Sequence, residues 1–224
     1  RFIIVFSRRL RWPGLEGLPL ILVGSHALVY LFEMFQPGLV ERLTLSRADL
    51  AAGEWWRLAT FLFVPPFIDT FLFFRVDFPA NAVLMFFWFS FLYTMAASLE
   101  HVWGTERFTF YFFTGAVATA ALGFWPDGGL VTNGYLQASL FLAFATLFPD
   151  TEVLLFFFLP VKVRWLGGVT WLTLAWTVIA GSGWSRLGVG AGLVNYFLLL
   201  GPDLWTTLRL RWQVVRNRRR FRGD

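Results

Sequence analysis

Apolar residues along this chain come in long runs, and the charged residues are gathered mostly in the intervals between them, Glu33 near the end of the first run being an exception. Six runs approach the roughly 20 residues that a helix needs to cross about 30 Å of hydrocarbon at about 1.5 Å per residue. They are Leu18 to Phe35, Ala80 to Ser98, Phe108 to Trp125, Leu130 to Phe148, Trp165 to Gly183 and Leu187 to Gly201. Inside lipid the backbone amides need internal partners, and the runs lack the alternation of a barrel strand, so the pattern predicts helices. The turn signal Pro126-Asp127-Gly128-Gly129 makes the third and fourth runs an antiparallel hairpin. The sixth run is short, about 22 Å at the helical rise, and Pro202-Asp203 interrupts it.

The interval between the first two runs, Gln36 to Pro79, is much longer than the others and is neither polar nor of low complexity, so structure is expected there. Ser46-Arg47-Ala48-Asp49 reads as a helix start, with a capping serine and an acid three residues on, leading into a helix over Leu50 to Phe63. Trp55, Trp56, Phe61, Phe63, Phe67, Phe71, Phe73, Phe74 and Phe78 predict a helical or re-entrant piece half sunk at the headgroup level. A second such interfacial piece is predicted over Val153 to Leu159, bounded by Pro149 and Pro160 and too short to span.

Composition narrows the class. Of 224 residues 57% are hydrophobic and 15% charged, where a soluble domain carries about 25% charged residues, so lipid is the solvent. The absence of cysteine and the presence of two histidines argue against a thiolate or all-histidine metal site, and no cofactor is expected. A net charge of +5 would suit nucleic acid, but the basic residues sit at the two chain ends beside hydrophobic spans, so no nucleic-acid partner is expected. With six crossings, 14 of the 19 Lys and Arg residues fall on the side of the termini, and Arg42, Arg47, Arg57, Arg75 and Arg186 on the other. The positive-inside rule then predicts cytoplasmic termini, and an arginine-to-lysine ratio of 18 to 1 suggests a GC-rich bacterial genome and hence a bacterial inner membrane, with an endomembrane location as the alternative. The expected organisation is a cytoplasmic segment over 1–17, a membrane domain over 18–208 and a basic cytoplasmic tail over 209–224.

Three segments carry a family resemblance. Gly53-Glu54-Trp55-Trp56-Arg57 stands between the first and second spans, Glu100, Gly104 and Arg107 lie at the junction of the second and third, and Phe148-Pro149 is followed by Pro160-Val161-Lys162-Val163-Arg164-Trp165 before the fifth. Together they resemble the rhomboid superfamily of intramembrane proteases and their inactive relatives, the derlins among them. The resemblance implies an all-α, polytopic, six-helix rhomboid-like bundle with a long, partly helical, interfacial first loop. The same residues also have plain structural roles: Trp56 and Arg57 can anchor the loop at the membrane surface, and Glu100 and Arg107 can form an ion pair across a glycine bend.

A rhomboid protease cuts with a serine at the start of the fourth helix and a histidine on the sixth, beside oxyanion donors from the second. Counted from Phe148-Pro149, the nucleophile position falls on Gly134; the base falls near Leu187 or Val189, and the oxyanion donors near Leu84 and Trp88. The chain therefore resembles a pseudoprotease, and it is expected not to be an enzyme. Ser139 lies a turn and a half further along, while His26 and His101 are elsewhere. Small residues stand in place of the dyad. Gly134 and Ala138 share a face of the fourth helix, Gly188 and Gly192 have small-x-x-x-small spacing on the sixth, and Asn133 and Gln137 are expected to find Asn195 across the interface. These seven residues are either packing glue or a groove for clients. The expected function is lateral binding of transmembrane partners or clients in the bilayer, with partners that are integral membrane proteins and lipid. The alternative is a permanent subunit of a larger respiratory or photosynthetic membrane complex, and an active serine protease comes third.

Overall fold

A computed structural model describes residues 13–66, 70–71, 74–75, 80–126, 128–155 and 159–220. Arg1, Arg8, Arg9, Arg11 and Arg222, all on the side of the termini, and Phe67, Phe73, Phe78 and Asp127 lie outside the described residues, while Phe71, Phe74, Arg75 and residues 203, 204 and 206–220 are described in backbone alone. The described chain is mostly helical. Among the described residues three helices are long and apolar enough to cross a membrane: α1 (Leu18–Phe35), the stretch Asn81–Trp103 of α5 (Ala80–Trp103), and α8 (Val163–Ala180). The other helices of comparable size are α6 (Thr105–Ala120), which tightens into a 3-10 turn over Ala121–Phe124, the short apolar α7 (Gly134–Leu147), and α9 (Gly183–Arg220).

Packing places α9 along both α6 and α7, which touch each other far less, while α1 lies on α5 and α8 on α7. The core between them is built from Met95, Leu99, Phe108, Tyr111, Leu136, Leu142, Leu193 and their neighbours, all buried. Burying a large apolar side chain of this kind is worth about 1.5–3 kcal/mol against water, but inside a bilayer that gain is absent and close contact has to supply the stability. The sequence answers with glycine. A Cβ on Gly192 would lie 2.7 Å from the backbone carbon of Tyr135, and one on Gly188 would lie 2.7 Å from the Tyr135 ring. The expected close approach of these two helices is therefore present, but Tyr135 fills the notch, and Gly134 and Ala138 line a groove toward α8.

The long loop is structured, although not as one helix over Leu50 to Phe63. It forms α2 (Leu39–Leu43), α3 (Arg47–Ala51), α4 (Arg57–Thr60) and a 3-10 turn over Phe61–Phe63, followed by a small hairpin of β1 (Thr70–Phe71) with β2 (Phe74–Arg75). Gly53, with a φ of 93°, breaks the helix, since this backbone region is open to glycine at little steric cost. The predicted start holds: Ser46 Oγ accepts the Asp49 amide at 3.2 Å and α3 begins at Arg47.

Two expectations are overturned. The piece over Val153 to Leu159 is a hairpin, β3 (Glu152–Leu155) with β4 (Leu159–Lys162), in which Glu152 pairs with Lys162 and Leu154 with Pro160. Pro160 excludes a helix here because it lacks the amide and restricts the residue before it, whereas a short outer strand tolerates it. An all-α description is thus too narrow. The sixth run does not end at Gly201 either, because α9 continues through Pro202 to Arg220 and is about 57 Å long at the helical rise. A proline inside a helix removes one hydrogen bond and bends it without always ending it.

Candidate functional site

Two of the buried polar side chains, His26 and Asn133, meet at the first turn of α7. Val131 donates its amide to Leu45 O at 2.8 Å, which ties the segment before α7 to the long loop. Asn133, buried at 6% exposure, donates from Nδ2 to Leu62 O and Val64 O, both at 2.9 Å. Those two bonds use both amide hydrogens. His26, buried on α1, lies with Nδ1 2.7 Å from Leu22 O, so Nδ1 carries the hydrogen and Nε2 is left as an acceptor. Gln137 Nε2, 3.3 Å away, is its donor, and the indole of Trp88 covers the ring at 5.4 Å between centroids. The loop, α1 and α7 thus meet on three side chains with their hydrogen bonds made inside apolar surroundings.

Asn195 does not join this cluster, contrary to expectation. It is buried on α9 against α6: a Cβ on Gly115 would stand 2.5 Å from its Nδ2. Its Oδ1 accepts the Tyr196 amide at 2.8 Å, and its Nδ2 has no partner among the described residues. The polar link from α9 to α7 is made one residue on, where Tyr196 OH meets Thr146 Oγ1 at 2.9 Å.

Gly134 sits in open space, with Thr132 Oγ1 the nearest atom to an added Cβ at 3.8 Å. Beside it runs a lateral groove of about 340 Å³ between α7 and α8, lined by Thr132, Gly134, Tyr135 and Ala138 on one wall and Val169, Thr170, Thr173 and Leu174 on the other. Thr170 and Thr173 return their hydroxyl hydrogens to the carbonyls of Leu166 and Val169 on their own helix, which leaves the groove mostly apolar. Its shape comes from missing side chains at Gly134 and from the methyl of Ala138.

Ser139 is fully buried. Its Oγ donates to Leu136 O at 2.7 Å, three residues back, and Tyr111 OH donates to Ser139 O at 2.9 Å with the Ser139 Oγ at 3.2 Å. Among the described residues its hydroxyl meets a phenol and a carbonyl, while His26 bonds elsewhere. No cluster of three His, Cys, Asp or Glu side chains that could hold a metal ion occurs among the described residues.

The motif residues are placed as follows. Arg57 is buried at 7% exposure and knits the loop together: Nη1 donates to Glu41 O at 2.6 Å and Thr44 O at 2.7 Å, and the guanidinium pairs with Asp49 at 3.3 Å and with Glu54. Trp55 and Trp56 are more than half exposed, and Trp55 lies against Phe124. Gly104, at φ 83°, is the one-residue joint between α5 and α6; its amide bonds Glu100 O at 2.7 Å and its carbonyl receives the Phe108 amide. Glu100 Oε1 is shielded without a hydrogen-bond partner among the described residues, and Arg107 is half-buried in the first turn of α6.

His26 was invisible to motif reasoning as the centre of a cluster. The available signal was a lone histidine inside an otherwise apolar run. Compared with family models, with curated proteins and with solved structures, the chain gives no match in any of the three.

Proposed function

We propose that the chain is a catalytically inactive, rhomboid-like integral membrane protein that crosses the bilayer six times and binds transmembrane segments of other proteins from the side. Its site is the groove between α7 and α8. The observation that carries this reading is that the groove opens at Gly134 and Ala138, where the counted nucleophile position has no hydroxyl, while the adjacent Asn133 and Gln137 are held by Leu62, Val64 and His26. A small-residue notch with apolar walls suits van der Waals contact with another helix, the main source of helix affinity in lipid. The burial and hydrogen bonding of Ser139 support a structural role for that hydroxyl. Cytoplasmic termini and a bacterial inner membrane complete the reading, supported by the distribution of Lys and Arg.

Photo-crosslinking tests the site. A photoreactive residue at Thr173, on the groove wall, captures membrane proteins that the same residue at Leu198, 58% exposed on α9, does not. Equal capture from both positions contradicts a dedicated groove.

One observation favours the second reading, a permanent subunit of a larger complex. On α8 the large residues Trp165, Leu172, Trp176 and Ile179 are 66–72% exposed, a broad aromatic and aliphatic face available for constant contact. Co-purification at fixed stoichiometry, independent of the groove, is the outcome that reading predicts.

A further inference from the structure

The segment of α9 beyond Gly201 is helical to Arg220, and its sequence has a pattern that the span before it lacks. At 3.6 residues per turn, Leu204, Trp205, Leu208, Trp212 and Val215 fall within one arc of about 100°. Arg211 and Arg218 fall along one border of that arc and Arg209, Arg216 and Arg220 along the other, Thr206, Gln213 and Asn217 lie toward the opposite side together with Leu210 and Val214, and Arg219 interrupts the arc only at its far end. The single acid, Asp203, stands at the start. A charge run that served only to orient the chain would need no such order, because the positive-inside rule counts charges and ignores helical phase.

Arginines bordering an apolar stripe are the arrangement of a helix lying in the plane of a membrane, where the long stems cover acyl chains and the guanidinium groups reach the headgroups. Pro202 supplies the weak point at which such a helix could turn. Without an amide hydrogen it cannot bond the carbonyl of Leu198, so α9 is weakest at the point where the apolar span gives way to the patterned segment. Trp205, the first ring of the stripe, is 71% exposed. The charge identifies the occupant as an anionic lipid surface, which attracts each nearby arginine by about 1 kcal/mol.

We infer that residues 203–220 form a basic amphipathic helix that hinges at Pro202 and docks on anionic phospholipid headgroups. This stands independently of the groove and of the family resemblance. The chain has no cysteine, so single-cysteine variants of the full protein report on it cleanly. Leu208→Cys and Val215→Cys, labelled with an environment-sensitive fluorophore in nanodiscs containing phosphatidylserine, show a blue shift that salt reverses and that phosphatidylcholine alone does not give. Gln213→Cys and Asn217→Cys show none. Replacing Arg211 and Arg216 with glutamine lowers the docking equilibrium about fivefold per arginine. Equal shifts at all four positions, shifts that do not depend on phosphatidylserine, or no shift at any position with the helix held only by an added acidic protein, each overturn the inference.

Discussion

At the scale of single residues, the account rests on amides and glycines whose roles are set by distance. Asn133 satisfies two loop carbonyls, Leu62 O and Val64 O, with one side chain. Asn133→Leu leaves both unpaired, at about 1–3 kcal/mol for each such group, and a thermal melt in mild detergent should fall accordingly, together with faster proteolysis of the long loop. An unchanged melt would mean that other donors reach Leu62 and Val64. The glycines give a paired prediction. Gly192→Ala places a methyl 2.4 Å from Tyr135 Cβ and should cost about 1–3 kcal/mol by overpacking, whereas Gly190→Ala, with nothing within 4 Å, should be neutral or slightly stabilising. Equal effects of the two in the same melt would contradict the close approach of α9 to α7. Arg57→Lys keeps the charge but loses the fork that reaches Glu41 O, Thr44 O, Asp49 and Glu54 together, so the loop should loosen and be cut sooner by protease than the wild-type loop.

At the scale of elements, the joints decide what the amino-acid order reveals. Gly53→Ala should destabilise the loop by about 1 kcal/mol, because a φ of 93° strains any residue with a Cβ, and the difference is measurable by denaturant or thermal unfolding; a neutral result would place the chain reversal elsewhere. The limits of α1 were legible to the residue, Leu18 to Phe35, since Gly17 and the Gln36-Pro37 turn bracket a mostly apolar run whose one acid is Glu33. The start of α3 was legible because a serine cap is local chemistry. The end of α9 was not, because proline signals weakness in a helix and only the surrounding sequence decides whether the helix stops. The hairpin of β3 and β4 was misassigned for a related reason: seven apolar residues fit either element, and the pairing of Glu152 with Lys162 is not visible in a local window. The His26 cluster joins residues more than a hundred positions apart, and nothing in the sequence near His26 or Gln137 announces the other. Ser139 bonds the carbonyl three residues back, a detail of helix geometry below the reach of sequence.

At the scale of the whole molecule, three helices among the described residues meet the length and hydropathy of a membrane span, and the six-crossing arrangement is part of the proposal. Cysteine-free background again helps: single cysteines near Arg107 and Lys162 should be shielded from an impermeant reagent added outside intact cells, and one at Arg186 should react, if six crossings place both termini inside. The reverse pattern would invert the topology. The proposed activity belongs to this scale too, since binding needs both groove walls and the loop that holds α7 in place. The most direct measurement compares wild-type protein with Ala138→Trp, which fills the groove, after gentle extraction into nanodiscs, and follows both the retained membrane proteins and a model transmembrane substrate. The account predicts that wild-type protein retains an intact transmembrane partner, that Ala138→Trp loses it while remaining folded, and that the substrate stays whole. Cleavage of that substrate, or retention of the same partner by the filled variant, would contradict it.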